Sequence, residues 1–128
     1  MAEPAQEIAH RVAHMRGMAE QTWERGDFFF FIRIPEPLYP EERGEKYEEP
    51  IAEALRAAEL GEVTGGGQQL GEGKSIAYCG VDVELTDRTR GLELLREVLV
   101  RLGAPATTVI EEFIPHFQEH PLTEPPPG

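Results

Sequence analysis

The chain of 128 residues is long enough for one domain with its own hydrophobic core. Its 24 acidic and 12 basic side chains leave a net charge of −12, which disfavours binding to nucleic-acid phosphates and to anionic membrane surfaces. A single cysteine excludes an intramolecular disulfide, and the first residues lack the basic and apolar runs of a signal peptide. We therefore expect a cytoplasmic protein without nucleic-acid or membrane partners.

Hydrophobic periodicity predicts one helix followed by two strand–helix–strand units. Apolar side chains recur at spacings of three and four from Glu3 to Arg25, as in an amphipathic helix. The elements expected after it are, in chain order, strand Phe28–Ile34, helix Pro50–Leu60, strand Glu62–Leu70, strand Ser75–Thr86, helix Leu92–Leu102 and strand Ala106–Ile114. The remaining tail is rich in proline and predicts no regular structure.

Two βαβ units in tandem predict an α+β fold, a ferredoxin-like βαββαβ sandwich. Right-handed crossovers place both helices on one face of a four-stranded antiparallel sheet, with the first and third strands at its centre. The expected organisation is an amphipathic helix over residues 1–26, a ferredoxin-like domain over 27–114 and a proline-rich tail over 115–128. The N-terminal helix is an addition to this fold, and the second face of the sheet stays open unless some element covers it.

The open face of the sheet is expected to carry aromatic and charged side chains. Alternation along the two central strands places on it Phe29, Phe31, Arg33, Ile76, Tyr78, Asp82 and Glu84. RNA-recognition folds stack bases on such aromatics, but Asp82 and Glu84 would repel phosphate and the basic, glycine and aromatic pattern of those folds is missing. The aromatics therefore call for a cover, either the N-terminal helix through Met15 and Trp23 or a second copy in a homodimer.

The segment from Glu36 to Glu62 concentrates negative charge. It holds nine acidic and three basic side chains, so it carries half of the net charge in about a fifth of the chain. A solvated helix face is one interpretation. The other is a docking surface for a basic protein partner, of the kind that nuclease inhibitors and immunity proteins use, with Leu38 and Tyr39 as its apolar anchor. The leading prediction is a non-catalytic interaction module that uses the open sheet face or this acidic surface.

The alternative prediction is a small-molecule or metal-binding domain, with enzymatic activity as a further option. Its cleft would lie between the sheet, the connection Pro35–Tyr47 and the run Gly65, Gly66 and Gly67, which weakens a strand and lets backbone or ligand approach closely. The glycines do not form a phosphate loop, because no helix follows them.

The sequence predicts no catalytic residue and no cofactor. His10 and His14 are four residues apart on a predicted helix and form a weak candidate metal site, since two imidazoles on one face could bind Zn²⁺. His116 and His120 have the same spacing but lie between prolines, and no third ligand can be identified for either pair. Cys79 falls on the inward face of its strand, so we expect a buried, unreactive thiol.

Three runs carry a resemblance to a family: YEEPIAEALRAAELGEVTGGGQQL, AYCGVDVELTD and LLREVLVRLGAPATTVIEE. With them the chain resembles a family of small, acidic, uncharacterised bacterial domains with a ferredoxin-like βαββαβ pattern. The resemblance covers roughly residues 28–112. It implies the fold and a bacterial origin, and it attaches no activity.

Overall fold

The fold is given by a computed structural model that describes residues 5–70 and 76–122, with side chains over 9–66 and 78–122. The elements in chain order are α1 (Ala5–Glu24), β1 (Phe28–Ile34), α2 (Pro40–Arg43), a π-helical segment (Gly44–Glu48), α3 (Glu49–Ala58), β2 (Gly61–Leu70), β3 (Ile76–Leu85), α4 (Arg88–Arg101), β4 (Val109–Glu112) and β5 (Gln118–Pro121). Within these residues no helix combines the length and apolar character that a membrane span requires.

The strands form one antiparallel sheet in the order β2-β3-β1-β4-β5. The α+β class is confirmed, but the sheet has five strands and the expectation of four is wrong. The fifth strand, β5, comes from the tail that was expected to lack regular structure. It pairs with β4 from Val109↔Pro121 to Glu112↔Gln118, and Leu122 immediately after it is buried in the core. Four residues ending in proline carry no strand pattern of their own, so only this pairing reveals the strand.

Helices cover both faces of the sheet. On one face α3 and α4 pack against the sheet and enclose the main core, whose members include Phe30, Ile32, Ile51, Leu55, Val81, Leu95, Leu99 and Ile110. On the other face α1 lies over a second cluster formed by Phe29, Phe31, Tyr78 and Phe113. Because β1 is covered from both sides, its sequence FFFFIRI is apolar on both faces.

The connection before α3 is more helical than its prolines suggest. The expected helix begins at Pro50, whereas the observed helical run begins at Pro40 and continues through the π-helical segment into α3. Pro40 occupies the first turn, where its missing N–H costs nothing, and the Glu42 carboxylate accepts a hydrogen bond of 3.3 Å from the Tyr39 backbone N–H. Gly44 falls within the connection Pro35–Tyr47 and lies inside this helical run.

Candidate functional site

The aromatic side chains assigned to the open sheet face are buried. Phe29, Phe31 and Tyr78 all lie in the cluster beneath α1, and Val12, Met15 and Met18 of that helix pack against them. Of the two covers that the sequence allowed, α1 is therefore the one in place. Trp23 was also expected to cover them, but it is 55% exposed. Its ring instead makes an edge-to-face contact with Phe28, with 5.8 Å between the ring centroids. An interaction through these rings would require α1 to leave the sheet.

A buried ion cluster lies beside these rings. Glu111 on β4 is fully buried and pairs with two arginines: Arg11 from α1, and Arg33 from β1, whose Nε lies 3.2 Å from Glu111 Oε2. Arg33 also pairs with Glu119 of β5 at 2.7 Å. Burial raises the pKa of Glu111, and the charges and hydrogen bonds of the two arginines only partly oppose that rise. Arg33 thus belongs to an internal network that ties α1, β1, β4 and β5 together.

The two acids predicted on that face, Asp82 and Glu84, are both partly buried. Glu84 pairs with Arg25. Asp82 is half-buried, and its Oδ1 has no hydrogen-bond partner within the part of the chain that the structure describes. Burial is the main reason that the pKa of Asp82 is raised, and the charges of His14 and Arg43 oppose the rise. Asp82 is thus partly covered without a hydrogen bond to Oδ1, whereas Glu84 forms an exposed ion pair with Arg25.

The groove expected at the triple glycine is filled by the protein itself. Arg43 Nε and Glu48 Oε1 form an ion pair of 2.7 Å that lies against β2 at Gly66. A Cβ on Gly66 would sit 2.3 Å from Glu48 Oε1 and 2.9 Å from the carbonyl oxygen of Gly80, so this position requires glycine. Gly65 faces the Asp82 carboxylate. The close approach that the sequence predicted is real, but the approaching group is an internal ion pair.

Gly67, the last of the three glycines, pairs with Gly80 in the β2–β3 ladder. His10 and His14 are both exposed on α1. Within the described residues no group of three or more histidine, cysteine, aspartate or glutamate side chains could hold a metal ion. The structure therefore adds no third ligand to the candidate histidine pair.

Cys79 is a buried thiol, as predicted. Burial raises its pKa to about 11, Arg43 opposes the rise, and Glu36 adds to it. Tyr47 lies nearby, is fully buried and donates its hydroxyl to Glu36. Burial and that hydrogen bond raise the pKa of the Tyr47 phenol as well. Neither group is a nucleophile at neutral pH.

The Cys79 thiol makes the stability depend on pH in the alkaline range. Because its folded pKa of about 11 exceeds the ordinary value of 9.0, its contribution is complete below pH 9 and is lost as pH rises through 11. We expect the wild type to lose about 2 kcal/mol more unfolding free energy than Cys79→Ala between pH 8 and pH 11. Urea denaturation of both proteins across this range measures the difference. If the unfolding free energies of the two proteins change equally with pH, the pKa of Cys79 is not raised in the folded state.

The acidic segment presents an uncompensated row of carboxylates. Two of its bases are used internally, since Arg43 pairs with Glu48 and Lys46 Nζ lies 2.8 Å from Glu36 Oε2. Among the exposed acids of the segment, four lie at a spacing of four along the helical run, and we call them the acidic stripe: Glu41, Glu45, Glu49 and Glu53. Arg56 is the third base of the segment and is exposed one turn beyond the stripe.

Tyr39 stands at the start of this helical run. Its side chain is 63% exposed, more than those of Trp23 and Val100, the other exposed large apolar residues of the described chain. Leu38 beside it is half-buried and packs against the main core. Pro37 and Pro40 flank this pair, and each proline ring fixes the φ angle of its own residue. The two residues predicted as one anchor thus divide, with Leu38 holding the loop and Tyr39 facing solvent.

Sequence reasoning missed a second charged group, between α4 and β5. Glu112 lies next to Glu111 on β4 but faces the opposite side of the sheet, where it pairs with Arg88 and His120. Two consecutive acids in a predicted strand were a usable signal, because alternation sends one of them to each covered face. A buried carboxylate on either face needs a cationic partner.

The family resemblance implied a fold and an origin for the chain but no activity. The described residues offer no test of it, so it stays a prediction. Comparisons of the chain with protein-family models, with curated proteins and with solved structures found no match.

Proposed function

We propose that the chain is a non-catalytic protein-interaction module that binds a basic partner through the acidic stripe, with Tyr39 as its aromatic anchor. The observation that carries the proposal is the exposed Tyr39 ring next to a row of exposed acids, in a segment where two of the three bases are paired with other acids. A stripe of this kind attracts a basic surface from a distance and speeds the encounter. The tyrosine supplies the desolvated contact that charges alone do not provide.

An immunity- or inhibitor-like role is the concrete form of this proposal. Such a protein blocks a basic partner by occupying its active surface, and it needs charge complementarity and a rigid anchor more than a pocket. Pro40, directly after Tyr39, restricts the backbone of Tyr39 and so limits the conformational entropy that docking would cost. The proposal sets the module in a bacterial cytoplasm, where a single buried thiol stays reduced.

We further propose that the fold is ferredoxin-like. The order β2-β3-β1-β4 and its antiparallel pairings support a ferredoxin-like arrangement, to which β5 adds a strand at one edge and α1 a second helical layer. Self-association is a further option, but not through the stripe. The partner of the stripe is a basic region of another protein, because a second copy of this chain is acidic.

Charge reversal on the stripe tests the proposed function. Affinity capture from a bacterial lysate is compared for the wild type, Glu45→Lys/Glu49→Lys and Tyr39→Ala, and the captured protein is then purified for binding measurements. We expect the double variant to bind it at least tenfold more weakly, and we expect wild-type binding to weaken as salt is raised. Tyr39→Ala should lose affinity by faster dissociation.

The matched control is Glu24→Lys/Glu97→Lys, which makes the same charge change at exposed sites on α1 and α4. If it weakens binding as much as the stripe variant, net charge rather than the stripe determines the interaction. Unchanged binding by both stripe and Tyr39 variants would refute the proposal.

A further inference from the structure

β2 is an edge strand with little protection against further pairing. It stands at the end of the sheet order, and β3 is the strand that pairs with it within the residues that the structure describes. Edges are usually protected by prolines, charged side chains and bulges. The ten residues of β2 hold no proline and one charged residue, Glu62, and the register with β3 runs unbroken from Gly65 to Gln69. Such an edge offers backbone donors and acceptors to an added strand.

A carboxylate on the α1 face of the sheet lies over this edge strand. Asp82 of β3 pairs with Gly65, and a Cβ on Gly65 would lie 3.2 Å from Asp82 Oδ2. Because position 65 has no side chain, no side chain of its own stands between this oxygen and the outer side of β2. His14 and Arg43 influence the charge of Asp82, but it forms no ion pair with any residue that the structure describes.

Glu62 adds a second acid on the same face of the edge. It pairs with Glu84, and alternation along β3 places Glu84 on the same face as Asp82. Glu62 is exposed, and neither Arg56, which borders this end of β2 from α3, nor another base of the described chain forms an ion pair with it. Across the bulge, Glu62 and Gly65 are matched by β3 residues two apart. A regular strand on the outer side of β2 would therefore meet the two acids with alternate side chains.

We propose that the outer edge of β2 binds an extended segment of another protein as a sixth strand, with alternate lysine or arginine side chains facing Glu62 and Asp82. Backbone pairing supplies the affinity, and the two carboxylates select basic side chains. Neighbouring strands lie about 4.8 Å apart, so a lysine opposite Gly65 has to cross one strand to reach Asp82. A second copy does not fit, because its own β2 carries no basic side chain. The edge shares no residue with the acidic stripe or Tyr39, so this inference goes beyond the proposed docking function and is tested separately.

The probe is the capped peptide Thr-Val-Lys-Thr-Lys-Val-Thr, compared with the same peptide carrying glutamine at both lysine positions. Each is titrated into ¹⁵N-labelled full-length protein at about 0.15 M salt. We expect saturable amide shifts centred on β2, with the lysine peptide binding about fivefold more tightly. A lysine peptide N-methylated at two consecutive central residues should bind about tenfold more weakly, because one of two consecutive N–H groups always faces β2. Absence of saturable shifts in β2, equal affinity for lysine and glutamine peptides, or undiminished binding of the methylated peptide would overturn the proposal.

Two variants assign the selection of basic side chains to the two acids. Asp82→Asn and Glu62→Gln keep the size of each side chain and remove its charge, so each should reduce the preference for lysine to about twofold. Glu62 is exposed, so its variant keeps the test decisive if Asp82→Asn does not fold, which urea denaturation checks. Glu97→Gln, exposed on α4, makes the same charge change and should keep the full preference. A full preference in both test variants contradicts the assigned roles, and concentration-dependent shifts of β2 without peptide would show a second copy as the occupant instead.

Discussion

Replacing Arg11 by methionine is expected to destabilise the protein by about 3 kcal/mol at pH 7, because it leaves the fully buried Glu111 with one fewer counter-charge. Methionine retains most of the apolar length of arginine, so packing of α1 against the sheet changes little. The guanidinium also lies over the rings of Phe31 and Tyr78, at 5.7 and 5.8 Å from their centroids. Loss of these contacts adds a smaller part.

The pH dependence separates the charge effect from packing. Glu111 already has a raised pKa, and removal of Arg11 raises it further, so the cost of the ionised carboxylate disappears as pH falls through that pKa. The difference in unfolding free energy between wild type and Arg11→Met should therefore shrink from pH 7 to pH 4. Urea denaturation at both pH values measures it.

A double variant completes this test. Arg11→Met combined with Glu111→Gln removes both charges and should recover most of the loss seen in Arg11→Met at pH 7. An equal loss at pH 4 and pH 7, with no recovery in the double variant, would mean that Arg11 acts through packing alone. The ion cluster would then contribute little to holding α1 on the sheet.

The covered sheet face was predictable because strand alternation and helix periodicity are local signals. Four phenylalanines in a row fit only a strand that is covered on both sides, and a helix with Val12 and Met15 on one stripe needs a surface to cover. Neither signal required knowledge of distant pairing. Together the two signals predicted a cover over Phe29 and Phe31, but they left α1 and a second copy as alternatives, and the structure shows α1 in that place.

The parts that sequence reasoning missed depend on contacts between distant residues. β5 exists because four residues near the end of the chain complete the edge of β4, and nothing within those residues shows it. The same strand brings His120 to Glu112, so this contact could not be predicted without the strand. Likewise Gly66 predicted a close approach, but the Arg43–Glu48 pair that approaches it arises from a helical run that the prolines concealed.

Gly80 and Phe31 are expected to be strongly coupled. A Cβ on Gly80 would lie 2.1 Å from Cζ of Phe31 and 2.3 Å from its Cε1, so the ring rests directly on the backbone of β3 beneath α1. Gly80→Ala should push the ring into Tyr78 and α1 and cost about 2–3 kcal/mol. Phe31→Ala should cost about 3–5 kcal/mol, because it leaves a cavity under the helix.

The double variant distinguishes a steric requirement from a general need for glycine. Once the ring is absent, an alanine methyl at position 80 fills part of the cavity and restricts the unfolded chain, so Gly80→Ala should be neutral or slightly stabilising in the Phe31→Ala background. The coupling energy from a urea-denaturation cycle should therefore be about 2–3 kcal/mol. If Phe31→Ala proves too unstable for the cycle, Phe31→Leu also removes the ring and serves in its place.

Gly17→Ala is the matched control for this cycle. Among the described residues, and apart from the backbone of α1 itself, no atom lies within 4 Å of a Cβ at this exposed position, so the substitution should stabilise the helix by about 1 kcal/mol. A gain at Gly17, a loss at Gly80 and cancellation of that loss when the ring is removed would together show that Gly80 is required by the Phe31 ring. Additive losses in the double variant would instead mean that the β3 backbone itself requires glycine at position 80. The contact between α1, Phe31 and β3 would then contribute less to holding α1 on the sheet.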